Sequence, residues 1–173
     1  MTGITRTRDV IVFFKGATMT VDVTEQDAAR GWVGGQGFQW TPTTQDRLLA
    51  TRSDGLYGGL ALWGSNEDSD DYVASTRSQP VYQYVVLMAG GWMIATRNFE
   101  KYTYASRTGG GPLVPIVYGP SDRLVLSLSG LLTKEDEWTL AGDPRAPNNY
   151  YIAFVAQTPI QSRGGYMTVQ VSI

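Results

Sequence analysis

The stretch "PVYQYVVLMAGGWMIAT" (Pro80–Thr96) contains the clearest secondary-structure signal in the chain. Its first half is rich in valine and tyrosine, which fit the pleated surface of a β-sheet. Gly90-Gly91 in its middle is a dipeptide typical of two-residue hairpin turns. The stretch therefore predicts two strands, Pro80–Ala89 and Trp92–Thr96, joined as a β-hairpin.

A second hairpin is predicted near the start of the chain, in "VIVFFKGATMTVDV" (Val10–Val23). An apolar run leads to a turn signal at Lys15-Gly16, and strict alternation follows it. The alternation predicts a strand that directs Met19, Val21 and Val23 towards the core.

The rest of the chain repeats this texture of short strands between Gly, Pro, Asn and Asp turns. Two capping-box patterns, at Thr24–Asp27 and Thr133–Asp136, predict short helices, although a loop leading into a strand fits the second almost as well.

With about ten short strands, the sequence predicts an all-β, mainly antiparallel fold: a β-sandwich or a jelly-roll-like barrel with one or two short helices. At 173 residues, one domain spanning residues 1–173 is expected. Further predicted strands are Arg47–Ser53, Gly55–Trp63, Lys101–Ser106, Leu113–Tyr118, Arg123–Ser129, Tyr150–Gln157 and Gly165–Ile173.

Composition excludes several kinds of chemistry. The chain has no cysteine and no histidine, so disulfides, thiolate metal sites and Ser-His-Asp or Cys-His catalysis are impossible. A net charge of −2 argues against sequence-independent nucleic-acid binding, which needs a basic surface. No apolar run is long enough to span a bilayer, so no membrane segment is expected. We predict neither nucleic acid nor membrane as a partner.

The acidic run "NEDSDD" (Asn66–Asp71) is the best candidate for a cation site. A calcium EF-hand loop needs Gly at its sixth position and Glu at its twelfth. Registers that start at Asn66 or Asp68 fail both requirements. A looser Ca²⁺ site through Asp68 and Asp70 stays open, but a solvated loop is favoured, and we expect no cofactor.

No catalytic residue is predicted, and we expect the chain not to be an enzyme. "RTGGGP" (Arg107–Pro112) lacks the Gly-Lys-Ser/Thr that opens the helix of a phosphate-binding loop. A carboxylate pair of the glycosidase type is left open. Glu100, which lies between Phe99 and Lys101 beside aromatic strands, is the strongest single carboxylate.

The aromatic residues are the remaining functional signal. The chain has ten Tyr and five Trp, residues favoured both in β cores and at interfaces. Trp32, Phe38 and Trp40 stand among glycines, and we predict them as an interface or ligand-contact surface, with core packing equally open. Eleven of the fourteen basic residues are Arg, which is enriched at interfaces.

In its composition and in the pattern of its short strands, the chain resembles virion structural proteins of tailed bacteriophages. The resemblance is carried by "VIVFFKGATMTVDV", "YVVLMAGGWMIATRN" and the terminal "GGYMTVQVSI". It implies a non-enzymatic component of the virion, in capsid decoration, tail or collar. It also implies a homo-oligomer whose partners are itself and other virion proteins.

Two alternatives remain open. One is a carbohydrate-binding, lectin-like β-sandwich that uses exposed Trp or Tyr, and the other is a glycan-degrading enzyme.

Overall fold

The computed structural model describes residues 9–41, 49–55, 58–64, 84–134, 152–160 and 165–172. These residues form an all-β fold with mostly antiparallel strands and two short helices, as predicted. The run Asn66–Asp71, with Asp68 and Asp70, lies outside the described residues. The elements in chain order are β1 (Val10–Phe14), β2 (Thr18–Val23), α1 (Glu25–Arg30), β3 (Gly37–Thr41), β4 (Leu49–Arg52), β5 (Gly59–Ala61), β6 (Tyr84–Met88), β7 (Trp92–Thr96), α2 (Tyr104–Thr108), β8 (Arg123–Leu126), β9 (Leu132–Lys134), β10 (Ala153–Ile160) and β11 (Tyr166–Val171).

The strands form two sheets. One is an open six-stranded sheet in the order β1-β7-β11-β10-β8-β9. The other is a small closed barrel in the order β2-β4-β3-β5-β6, in which only the β2–β4 pair is parallel. Closure removes the free edges of the barrel, whereas β1 and β9 are the outermost strands of the open sheet among the described residues.

Both hairpins predicted from the strongest sequence signals are wrong, although all four strands are present. β1 and β7 pair with each other in the open sheet, while β2 and β6 pair with each other in the barrel. The pairing is in step at both ends, with Val10 opposite Thr96 and Thr18 opposite Met88, although a bulge lies between Val12 and Phe14. The two segments therefore form one long antiparallel ribbon that bends from one sheet into the other.

The bend of this ribbon depends on small residues. A Cβ at Gly16 would overlap the carbonyl oxygen of Gly90 and lie 2.8 Å from the carbonyl carbon of Gly91. Gly91 itself has a φ of 88°, which favours glycine. The Trp92 indole N–H donates to the Ala17 carbonyl at 2.6 Å and ties the two strands together at the bend. The glycines therefore allow two strands to change sheets side by side, instead of closing two turns.

Two apolar clusters support this arrangement. The larger cluster lies on the inner face of the open sheet and includes Leu60 and Met88 from the barrel strands. The smaller cluster fills the barrel and includes Val21, Val23 and Phe38. Val21 and Val23 face inward as predicted, whereas Met19 is 39% exposed.

The predictions for the other segments have mixed outcomes. The last two predicted strands are present as β10 and β11, which the structure pairs as antiparallel neighbours. The first capping box is confirmed: Thr24 caps α1, and the helix ends at Gly31, whose φ is 75°. Lys101–Ser106 is not a strand, because Thr103 caps helix α2 there. In Leu113–Tyr118 the structure has a single bridge at Pro115, and Thr133 lies within β9 instead of opening a helix.

Among the described residues, no helix is long and apolar enough to cross a membrane.

Candidate functional site

Strand β1 presents an apolar edge, which we call the β1 edge and define as Ile11, Phe13 and Phe14. Their exposed fractions are 40%, 60% and 66%. Within the part of the chain that the structure describes, β1 pairs only with β7, so its other side carries unpaired main-chain groups. An exposed, apolar edge strand of this kind is a template for pairing with another chain.

The same strand is held firmly on its inner side. Val10 is 5% exposed and belongs to the large core cluster. The Arg97 guanidinium pairs with the Asp9 carboxylate at 3.2 Å, just before the strand begins. A β-bulge between Val12 and Phe14 interrupts the regular ladder with β7. The β1 edge is therefore the outer side of an anchored strand.

The other edge of the sheet differs in both length and chemistry. Strand β9 has three residues, and its last, Lys134, forms an ion pair with Asp122 at 3.3 Å. Short edge strands that carry lysine are protected against pairing. Of the two edges, β1 is thus the one suited to contact.

The predicted surface of Trp32, Phe38 and Trp40 is not assembled by the structure. Phe38 is fully buried and Trp32 is 5% exposed, so the prediction is wrong for both as surface residues. They meet edge to face, with ring centroids 5.6 Å apart, inside the barrel. The Trp32 indole N–H donates to the Trp63 carbonyl at 3.1 Å, which satisfies its polar group there. Trp40 is 41% exposed and alone of the three remains available for contact.

Glu100 lies in a pocket of about 150 Å³ between helix α2 and the turn that joins β8 to β9. Its side chain is 9% exposed, and it forms an ion pair with Arg107 of α2. The Ser127 hydroxyl donates to Glu100 Oε1 at 2.6 Å. Tyr102 and Tyr104 line the same pocket.

The Glu100 backbone is fixed as firmly as its side chain. Its N–H donates to the Leu132 carbonyl at 2.8 Å, and its carbonyl accepts from the Tyr118 hydroxyl at 2.6 Å. Ser127 is held in turn, because its hydroxyl oxygen accepts the backbone N–H groups of Ser129 and Leu131. The carboxylate therefore has a defined position.

A wider groove of about 690 Å³ lies next to this pocket, beside Lys101. The Lys101 amine lies 3.3 Å from the centroid of the Phe99 ring and donates to the Arg97 carbonyl at 2.7 Å. Although the residue as a whole is exposed, burial of the amine, with a smaller contribution from the Arg97 charge, lowers the pKa of Lys101 to about 8.

Metal binding has no candidate in the described ranges, where no group of three or more acidic side chains could hold an ion. The predicted weak site at Asp68 and Asp70 lies outside these ranges and stays a prediction.

Sequence reasoning singled out Glu100 but missed the residues around it. The sequence pattern places Arg107 in a glycine-rich loop and predicts a strand before it, whereas the structure has helix α2 there. The missed signal is Thr103 followed three residues later by Ser106, a short helix start without the usual Glu or Gln. That helix brings Arg107 back over Glu100.

Comparison with known proteins adds no relative. No family model, curated protein or solved structure matches the chain.

Proposed function

We propose that this chain is a structural protein of a tailed-bacteriophage virion that acts through contacts between its own copies. The virion setting rests on the resemblance in strand texture. The observation that carries the contact role is the β1 edge, where Phe13 and Phe14 are 60% and 66% exposed on a strand that pairs only with β7 within the described residues. Partners are further copies of the chain and other virion proteins, in capsid decoration, tail or collar.

The sequence of β1 is self-complementary in one antiparallel register. A twofold axis at Val12 places Ile11 opposite Phe13 of the second copy, on the same face of the joined sheet. The same pairing brings Lys15 of the second copy near the end of β1 that carries Asp9, whose carboxylate also pairs with Arg97, so the charges there have opposite signs. Apolar and charged positions thus favour the same pairing.

The contact at one β1 edge is small. Stable interfaces usually bury about 800 Å² on each partner, more than a five-residue strand offers. The bulge before Phe14 shortens the regular ladder further. We therefore expect weak association of isolated copies, strengthened in an assembly where several contacts act together.

Sedimentation velocity over a range of concentrations tests this proposal. Wild-type protein should sediment faster as its concentration increases. Phe13→Glu should abolish the increase, because it places two carboxylates in an apolar contact.

The matched control is Val117→Glu, which adds the same charge at a residue that is 78% exposed and lies outside β1. A wild-type chain that stays monomeric at high concentration would contradict the proposal, and so would loss of association in the control alone.

A further inference from the structure

The pocket beside Glu100 has the size and the wall of a small-ligand site. Its volume of about 150 Å³ is that of a cavity that holds benzene, so it can take up one face of a sugar ring while the ring's other substituents stay outside. Its lining combines one carboxylate, one guanidinium and two tyrosine rings. We propose that this pocket binds a single neutral pyranose residue at the end of a glycan.

The charge of the pocket favours a neutral ligand. Glu100 and Arg107 form an ion pair, so their charges cancel at the pocket wall. A phosphate or carboxylate ligand would have to compete with Glu100 for Arg107. A free amine would have to compete with Arg107 for Glu100. A neutral ligand leaves the ion pair intact.

The hydrogen-bonding capacity that remains matches a pair of adjacent hydroxyl groups. Each carboxylate oxygen of Glu100 accepts one protein hydrogen bond and has the lone-pair capacity to accept a second. The Glu100 carboxylate accepts one of the N–H groups of the Arg107 guanidinium. The Arg107 side chain is 42% exposed. One sugar hydroxyl would donate to Glu100 while its neighbour accepts from Arg107. Because both hydroxyls lie on one rigid ring, the two contacts form together.

The tyrosines supply an apolar wall. Tyr102 and Tyr104 are 39% and 36% exposed, so part of each remains open to solvent. Tyrosine presents an aromatic body and a polar tip, which suits a sugar with an apolar C–H face and a polar rim. The carboxylate is already held by Ser127 and Arg107, and the Glu100 backbone by Leu132 and Tyr118, so little ordering of the pocket is needed on binding.

The residues that line the pocket support binding of a glycan, not its cleavage. Glycoside hydrolysis usually uses two carboxylates that flank the scissile bond. Glu100 is the one carboxylate among the described residues that line the pocket. The proposal is independent of self-association through the β1 edge. Phe13 lies on β1 at one side of the open sheet, whereas Glu100 lies beside the β8–β9 turn at the other side.

Saturation-transfer-difference NMR with the methyl glycosides of glucose, galactose and mannose tests the site. At least one glycoside should bind wild-type protein with a millimolar dissociation constant. Tyr104→Ala removes an exposed ring from the wall and should weaken that binding about tenfold or more. Glu100→Gln should weaken it comparably, since hydrogen bonds to a charged group are the stronger ones.

The matched control is Trp40→Ala, which removes an exposed aromatic ring from the barrel, outside the pocket. It should leave glycoside binding unchanged. Failure of all three glycosides to bind wild-type protein would overturn the proposal, as would loss of binding in Trp40→Ala with retention in Tyr104→Ala. Phe13→Glu should bind the glycoside like wild type, which separates this proposal from the proposed self-association.

Discussion

Replacing Asp27 with alanine should destabilise the protein strongly, because one buried carboxylate joins helix α1 to strand β4. Asp27 is 2% exposed. Its Oδ2 accepts from the Thr24 hydroxyl at 3.0 Å, from the Arg52 backbone N–H at 2.9 Å and from the Thr51 hydroxyl. Three donors therefore depend on one oxygen atom.

The expected cost follows from these contacts. Leaving the part-buried Arg52 N–H without an acceptor costs up to about 1–3 kcal/mol, and hydrogen bonds to a charged group contribute about 1.5–3 kcal/mol each. The contacts act together, so we expect a total loss of roughly 3–5 kcal/mol in the free energy of unfolding. At roughly 2–4 °C per kcal/mol for a chain of this size, the midpoint of thermal unfolding should fall by about 10 °C.

Thermal and urea unfolding, followed by circular dichroism, measure this loss. Asp27→Asn is the matched variant, because its amide oxygen can still accept the three bonds, and it should lose less than half as much stability. Glu25→Ala removes an exposed acidic residue from the same helix turn and should cost less than about 1 kcal/mol. If Asp27→Ala were as stable as Glu25→Ala, the carboxylate would not be the link between α1 and β4.

Three further predictions concern the bend, the barrel and the Lys101 groove. Gly16→Val should prevent folding or lower the unfolding midpoint in urea, because the new side chain overlaps the Gly90 carbonyl. Phe38→Ala should cost about 3–5 kcal/mol in the same assay, since it empties a fully buried site, whereas exposed Trp40→Ala should cost much less. The pKa of Lys101 is lowered from 10.5 to about 8, so between these values the unfolded chain binds a proton that the folded chain has lost. Stability should therefore rise with pH across this window, and Lys101→Met should show a smaller rise in its thermal unfolding midpoint.

Features set by neighbouring residues could be predicted from the sequence. Thr24 and Gly31 mark the start and end of α1 because capping depends on contacts within a few positions. The alternation in Gly165–Ile173 predicts β11 for the same reason. The fold class follows from the number and length of such segments.

Pairing between distant segments could not be predicted in this way. Gly90-Gly91 indicates a sharp change of direction, and periodicity does not say whether the chain then folds back or passes into another sheet. The direction of the chain after Gly90-Gly91 is decided by the segment that pairs with it about 75 positions away, where Gly16 leaves room for the Gly90 carbonyl. Trp32 and Phe38 were misassigned for a related reason, because the barrel that buries them closes only through β6.

Only the carboxylate of the Glu100 pocket could be predicted from the sequence. A lone glutamate beside aromatic residues already indicated an unusual carboxylate. Its partners Arg107 and Ser127 come from helix α2 and from the β8–β9 turn, whose positions relative to Glu100 are tertiary. The β1 edge was visible as an apolar run, but its exposure depends on β1 being the last strand of the sheet.

Oxidative cross-linking through a single introduced cysteine tests the β1 contact most directly. The chain has no cysteine of its own, so Val12→Cys carries one thiol for each copy. In the proposed register the two Val12 residues face each other across the twofold axis. Directly opposite residues of an antiparallel pair have Cα atoms about 4.5–5.5 Å apart, which a disulfide spans. Oxidation should convert Val12→Cys into a covalent dimer and leave Val117→Cys largely monomeric. A Val12→Cys protein that stays monomeric, or that cross-links no faster than Val117→Cys, would contradict self-association through β1.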